Sequence, residues 1–326
     1  MTFDEFLQEW HDDNPFIKVR TSGSTGNPKE IKLYKDFVGK SARRTIKFFY
    51  LNDKSHLHSC VSADYIGGKM MAVRAALTGA QFSSEHPSNT PLTDLDPKIT
   101  LDLVAVVPSQ MLFILENRDR LPDVKNFIIG GSTIHPDLWN KIAESGINAY
   151  QTYGMTETAS HIALRRITKN ILPFSLLPEI KIEQKTDGCL RIIFEDGKVI
   201  DTNDIVELVS EREFFIKGRK DQMIISGGRK INPLELEEKI SGLLSLPYCV
   251  TGFADIKWGE KIVLLIESEP FPTDILEEKL KSSLESWQKP KSIIFLRHLP
   301  HTSNGKILRP RSLEVLKSKN LLYNPL

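Results

Sequence analysis

Between about residues 55 and 155, short apolar runs alternate with segments of helical pattern: 58–63, 69–77, 101–107, 109–116, 127–129, 136–144 and 149–152, each bounded by Gly, Pro or Asn. Short runs cannot bury themselves alone, and this alternation predicts a mostly parallel sheet with helices on its faces, an α/β fold. From 178 to 216 the texture changes to β-type stretches separated by Asp187-Gly188, Glu195-Asp196-Gly197 and Asn203-Asp204. All three breaks read as hairpin turns, so a small antiparallel β unit is expected to close the larger domain. After Gly218-Arg219-Lys220-Asp221 come a strand at 223–225, an amphipathic helix at 233–244, strands at 250–253 and 262–266, a helix at 273–287 and a strand at 292–296. That series suits a separate, smaller α+β domain over 221–326, following a large domain over 1–220.

The chain has 326 residues, enough for two cores. Its 43 basic and 42 acidic residues leave a formal charge of +1, so no overall field draws it to nucleic acid or acidic lipid, and ligands must be held by local sites. Cys60, Cys189 and Cys249 are far apart and lie in apolar runs, which reads as reduced core thiols in a cytoplasmic protein. The first twenty residues carry Asp4, Glu5, Glu9, Asp12 and Asp13, and nowhere do 18 apolar residues run together. Neither a signal peptide nor a membrane span is expected.

Thr21-Ser22-Gly23-Ser24-Thr25-Gly26-Asn27-Pro28-Lys29 joins two strand-like stretches, 16–19 and 31–34. Hydroxyls and glycines at this density let backbone N–H groups approach phosphate oxygens, and Lys29 adds a positive charge. A Walker A loop is excluded, because Pro28 precedes the lysine and a strand follows. By composition alone the segment is equally a solvated turn.

Further segments share its polar character. Tyr153-Gly154-Met155-Thr156-Glu157-Thr158 follows an expected strand, which places a hydroxyl and a carboxylate where open α/β sheets bind ligands. Asp204, in Asp201-Thr202-Asn203-Asp204, is expected at a turn, with Gly218-Arg219-Lys220-Asp221 behind another strand. Then come Ser226-Gly227-Gly228-Arg229-Lys230 and the late Asn304-Gly305-Lys306-Ile307-Leu308-Arg309.

Together and in this order these segments resemble the signature motifs of the adenylate-forming superfamily of acyl-CoA synthetases, adenylation domains and luciferases, over a span from Thr21 to Arg309. Ser62-Ala63-Asp64-Tyr65-Ile66-Gly67-Gly68-Lys69, the later Arg74 and the run YGMTETASH are most similar to the o-succinylbenzoate:CoA ligase branch, which serves menaquinone biosynthesis. In that superfamily the phosphate loop usually lies well inside the chain, so the resemblance implies that most of the usual N-terminal subdomain is absent here.

The resemblance implies a magnesium-assisted, two-step acid–thiol ligation: an organic acid and ATP give an acyl-adenylate and pyrophosphate, then CoA displaces AMP. Thr21, Ser22, Gly23, Ser24, Thr25, Gly26 and Lys29 would hold the β- and γ-phosphates, Thr156 the α-phosphate, and Glu157 the Mg²⁺ ion. Tyr153 and Gly154 belong to the same nucleotide motif, while Asp204 and Arg219 would take the ribose hydroxyls. Where the superfamily commonly has Thr-Gly-Asp, this chain has Thr202-Asn203-Asp204; Asn also tolerates left-handed backbone angles. Lys306 would sit between the attacking carboxylate and the α-phosphate, Asp221 at the hinge of the mobile C-terminal domain, and Gly227 on the face that meets CoA. Arg74 is the candidate for a second carboxylate on the acid, with a solvent-facing helix arginine as the alternative. Ser160 and His161 would line the acid pocket, although a lone His also serves structure. Two rival readings stay open at this point: delivery of the adenylate to a carrier protein, and a nucleotide-binding regulator without turnover. Homo-oligomerisation is equally open from sequence.

Overall fold

A computed structural model describes residues 1–20, 30–301 and 307–323. Two compact units divide the chain: residues 1–183 with 192–200 and 209–214 form the first, and 184–191 with 201–208 and 215–326 the second.

The first unit begins with α1 (Phe3–His11), β1 (Phe16–Arg20), β2 (Glu30–Tyr34), α2 (Lys35–Phe49), β3 (His56–Ser59), α3 (Ile66–Thr78) and β4 (Gln81–Ser84). It continues through β5 (Thr100–Leu101), β6 (Leu103–Val106), α4 (Pro108–Glu116), β7 (Asp123–Val124), β8 (Phe127–Ile129), α5 (Pro136–Glu144), β9 (Ala149–Met155), β10 (Ser160–Arg166) and β11 (Phe174–Leu176). Strands β4-β3-β6-β8-β9 lie side by side, and every pair is parallel. The sheet foreseen from the alternating runs is therefore present. Its strands read as unbroken apolar runs because both faces are covered: all four residues of β6 and all three of β8 are buried. Helix α5 starts on Pro136, whose fixed φ suits the first turn, and buries Trp139 and Ile142. From β3 the chain pairs first with β4 on one side and then with β6 on the other, so the strand order reverses there. Ligands of open α/β sheets bind beside the carboxyl ends of strands at such a reversal.

A meander follows: β12 (Ile180–Gln184), β13 (Cys189–Phe194), β14 (Val199–Ser210) and β15 (Glu213–Arg219), adjacent in that order. Its turns at Asp187-Gly188 and Glu195–Gly197 fall where the sequence places them, closed by Gly188 N–H to Lys185 O and Gly197 N–H to Phe194 O. The turn expected at Asn203-Asp204 is absent; both residues lie inside β14. Alternation decides against the local polarity: Thr202, Asp204 and Val206 point inward while Asp201, Asn203 and Glu207 are exposed. The Thr202 hydroxyl donates to Leu190 O and accepts from Asp204 N–H, so polar side chains pin the strand where apolar ones usually would.

The second unit adds β16 (Ile224–Ser226), β17 (Arg229–Ile231), α6 (Pro233–Ile240), β18 (Tyr248–Asp255), β19 (Gly259–Glu267), α7 (Asp274–Ser283), β20 (Ser292–Leu296) and α8 (Leu313–Ser318). Its sheet runs β17-β16-β19-β18, antiparallel throughout, with β20 parallel to β19. Strand β19 shows why it lies centrally. Ile262, Leu264 and Ile266 pack into the cluster holding Leu236 of α6 and Leu280 of α7, while Val263 and Leu265 pack on the other face with Leu296 and Leu316. Cys60, Cys189 and Cys249 are free and buried, as expected from their apolar surroundings. Among the described residues no helix is long and apolar enough to cross a membrane.

Candidate active site

The Thr-Glu motif sits where the sequence puts it, just past the carboxyl end of β9, on a single 3-10 turn over Thr156–Thr158. One hydroxyl holds that turn. Thr158 Oγ1 accepts from Met155 N–H at 2.9 Å and lies 2.9 Å from Met155 O and 2.6 Å from Ser160 O. The chain then reverses into β10 through two residues with positive φ, Ala159 at 54° and Ser160 at 102°. Neither is glycine, so this return stores backbone strain that its surroundings must hold in place. Ser41 of α2 does part of this by donating to the Ala159 carbonyl at 2.9 Å. Gly154 does another part: a Cβ there would lie 2.2 Å from Ser160 O, so β9 and β10 approach this closely only because it has none. The result lifts Glu157 into solvent, with no hydrogen bond to its carboxylate among the described residues. Its carbonyl accepts from Lys198 Nζ at 3.1 Å, and that ammonium lies 3.7 Å from the Phe37 ring centroid. Burial lowers the Lys198 pKa, while Asp196 and Glu157 partly oppose the shift. Tyr153, two residues before Met155, is buried against Phe174 and Phe214, with ring centroids 5.8 and 5.2 Å away.

Beneath this turn lies a buried cation. Arg74 of α3 is 1% exposed, which removes the solvent-facing alternative, because α3 is covered on every side, Met70, Met71, Val73 and Ala75 being buried with it. Among the described residues its Nη1 reaches only the Met71 sulfur, at 3.4 Å. Its Nε and Nη2, the two donors along one edge of the guanidinium, have no hydrogen-bond partner among the described residues. Burial pushes the Arg74 pKa down to about 9, which still leaves it charged near neutrality. That charge reaches His161, which is also buried. Burial first, and Arg74 second, hold His161 well below its ordinary value, so its ring is neutral. His161 Nε2 lies 2.9 Å from Thr45 Oγ1 and Nδ1 lies 3.5 Å from Ser160 Oγ. Arg74, Ser160 and His161 are thus brought together, joined by Thr45 and Ser41, which the sequence did not single out. Their partners stand 116 and 118 residues away in the chain, a separation that leaves no local signal.

The second unit gathers Asp204, Arg219 and Asp221. Arg219 Nη1 donates to Asp204 Oδ1 at 3.0 Å, while Nε and Nη2 grip Asp221 at 3.0 and 2.8 Å in a side-on fork. Burial works to raise the Asp221 pKa, but its hydrogen bonds and charge contact with Arg219 outweigh that and hold it below the ordinary carboxylate value. Arg311 donates to the Asp221 carbonyl at 3.0 Å. Gly227 lies apart from this trio, in the two-residue turn between β16 and β17, where φ of 56° and 76° at Gly227 and Gly228 requires glycine. Thr21, Ser22, Gly23, Ser24, Thr25, Gly26 and Lys29 lie outside the described residues, as does Lys306. Their flanks are described: β1 pairs with β2 up to Arg20 and Glu30, and His301 bridges to Ile307.

Residues 5–187, more than half of the chain, match the AMP-binding enzyme family. A 2-succinylbenzoate–CoA ligase of Listeria innocua is 28% identical over 339 residues, covering 95% of this chain and 72% of that protein. One of Lactococcus lactis is 25% identical, covering 92% and 71%. Among solved structures, an acyl-CoA synthetase (AMP-forming)/AMP-acid ligase II-like protein of Dyadobacter fermentans is 31% identical over 97% of this chain and 92% of its own, with a TM-score of 0.61. The o-succinylbenzoate CoA synthetase of Bacillus subtilis, in complex with the acyl-adenylate intermediate OSB-AMP, shares the fold with a TM-score of 0.75 at 21% identity, covering 90% and 67%. The chain belongs to the AMP-binding enzyme family.

Proposed function

We propose that the chain is an ATP-dependent acid:CoA ligase whose acid carries two carboxylates on an aromatic frame, with o-succinylbenzoate the acid that fits best and menaquinone biosynthesis its setting. The observation that carries this reading is Arg74: a fully enclosed guanidinium with two adjacent donors unpartnered among the described residues. An unpaired buried charge is costly, and one edge of a guanidinium matches one carboxylate. Arg74 takes the carboxylate that does not react, the neutral His161 beside it adds no competing charge, and the other carboxylate points toward the Thr156-Glu157 turn.

The first step joins that carboxylate oxygen to the α-phosphorus and releases pyrophosphate; in the second, the CoA thiolate bonds to the acyl carbon and AMP leaves with the electron pair. Such chemistry needs positioning and charge stabilisation more than a protein nucleophile. Glu157 is exposed beyond a strand end and suits a magnesium site, since Mg²⁺ takes one or two carboxylates and fills its shell with phosphate oxygens and water. The ion would neutralise charge on the phosphates. Thr156 faces the α-phosphate, Tyr153 and Gly154 the nucleotide, the hydroxyl-rich segment from Thr21 to Lys29 the β- and γ-phosphates, and Lys306 the charge that builds as the acid attacks. Asp204 and Arg219 address the ribose, and residues 221–326 move about Asp221 between the steps, bringing Gly227 toward CoA. Three free buried thiols and reliance on ATP and CoA are consistent with a reducing, cytoplasmic setting.

Arg74→Met tests the reading. With o-succinylbenzoate, kcat/KM for pyrophosphate release falls about 10²-fold or more, the loss typical of removing one partner of a buried charge pair. With β-benzoylpropionate, which lacks the ring carboxylate, the variant matches the wild type. An equal fall with both acids overturns the assignment of Arg74 to a second carboxylate.

A further inference from the structure

On the face of the parallel sheet turned away from α3, the carboxyl ends of β3 and β4 hold three metal-ligating side chains. His58, Cys60 and Glu85 place one donor atom each, all within 4.8 Å of one another. His58 and Cys60 are two residues apart and share a face of the chain at the end of β3, while parallel pairing of His58 with Ser83 sets Glu85 opposite them. His58 is wholly buried, Cys60 is 1% exposed, and the Glu85 side chain is 15% exposed. None of the three belongs to the nucleotide or acid machinery.

The ring of His58 makes the cluster more than a packing accident. Its Nδ1 lies 2.8 Å from Ser83 Oγ, a hydroxyl that His56 Nε2 also meets at 2.8 Å. Its Nε2 is buried and has no hydrogen-bond partner among the described residues. The nearest carboxylate oxygen, Glu85 Oε2, stands 3.6 Å away, too far for a hydrogen bond. A ring nitrogen therefore points unsatisfied at a carboxylate and a thiol, an arrangement a cation between them would complete. Glu85 is already held for the task, both oxygens accepting from Leu92 N–H at 3.2 and 2.9 Å. The Ser83 contact fixes the ring as an outer hydrogen bond fixes a metal-bound imidazole.

We propose that His58 Nε2, Cys60 Sγ and Glu85 bind one divalent transition-metal ion, zinc by the character of the donors. Mixed nitrogen, sulfur and oxygen donors suit zinc and disfavour magnesium. Tetrahedral bonds of about 2.0–2.3 Å set donor atoms about 3.3–3.7 Å apart, so the cluster closes by rotamer adjustments of about an ångström. On binding, the Cys60 thiol releases its proton to solvent and sulfur bonds to the metal. One thiolate and one carboxylate then balance the two positive charges, leaving a neutral complex that tolerates burial. A water takes the fourth position. The ion ties the edge strand β4 to β3 and steadies the chain that leads from β3 into α3 and Arg74.

The test uses the full chain without a metal-binding tag, stripped by chelator and titrated with Co²⁺ in excess Mg²⁺. A thiolate-to-cobalt charge-transfer band saturates at one equivalent. It disappears in Cys60→Ser, persists in Cys189→Ser and Cys249→Ser, and forms at least about 10-fold more weakly in Glu85→Gln. Absence of a saturable band, or its survival in Cys60→Ser, overturns the proposal. Zinc-edge X-ray absorption of the wild type gives an answer that does not depend on any variant folding. One sulfur with nitrogen and oxygen neighbours supports the site, and a shell of nitrogen and oxygen alone contradicts it.

Discussion

A guanidinium enclosed with no counter-charge among the described residues works against the fold, and this fixes what Arg74 does to stability as well as to binding. Replacing buried charge by an apolar side chain of similar size commonly stabilises, by about 1–4 kcal/mol. Arg74→Met should therefore raise the urea midpoint of the ligand-free chain while impairing recognition of the acid; a lower midpoint would show that the charge has a partner in the resting protein. His161 gives the matching pH dependence. Its folded pKa lies well below its ordinary 6.5, so the unfolded chain takes up a proton before the folded one does. The stability that goes with the neutral ring is present above pH 6.5 and is lost as pH falls below it. In His161→Gln this acid limb should be shallower when urea midpoints are compared between pH 7 and pH 5. Sequence pointed to both residues but not to their burial. Lys69 and Arg74 make α3 look half-solvated, and only the packing around it shows that both are inside.

At the level of elements, the β and α runs from 127 to 152 were legible because each is short, apolar and bounded by Gly, Pro or Asn, and α5 falls on the expected residues. Strand β14 was not legible, since Asp201-Thr202-Asn203-Asp204 has turn composition and its strand form rests on hydroxyl and carboxylate contacts made across the meander. The turn that carries Glu157 shows the same limit. Its place after a strand could be read, whereas its clamp, Thr158, looks like one more hydroxyl in a polar run. Thr158→Val keeps the shape of the side chain and removes the clamp, leaving Met155 N–H without its acceptor. The expected loss is about 1–3 kcal/mol, the usual penalty for an unsatisfied buried group, with a fall in adenylation rate as Glu157 shifts. Unfolding curves and acid-dependent pyrophosphate release check both, and a variant unchanged in each would remove Thr158 from the account.

Over the whole molecule, the candidate residues divide between two compact units: the Thr-Glu turn, Arg74 and His161 belong to the first, and Asp204, Arg219 and Asp221 to the second. The order of the polar segments was readable because each motif is local. The side chains that hold them were not, because supports such as Ser41 and Thr45 come from distant parts of the chain. With a formal charge of +1, the protein offers no general attraction to anions, so selection among acids must come from the buried site. The most direct measurement is pyrophosphate release from Mg·ATP by the purified chain across o-succinylbenzoate, β-benzoylpropionate, fatty acids and simple benzoates, each with and without CoA. The account expects release with the aromatic dicarboxylic acid at a kcat/KM about 10²-fold or more above that of any monocarboxylic acid, and AMP with an acyl-CoA thioester once CoA is present. Release that is independent of acid, or equal for monocarboxylic acids, would contradict it.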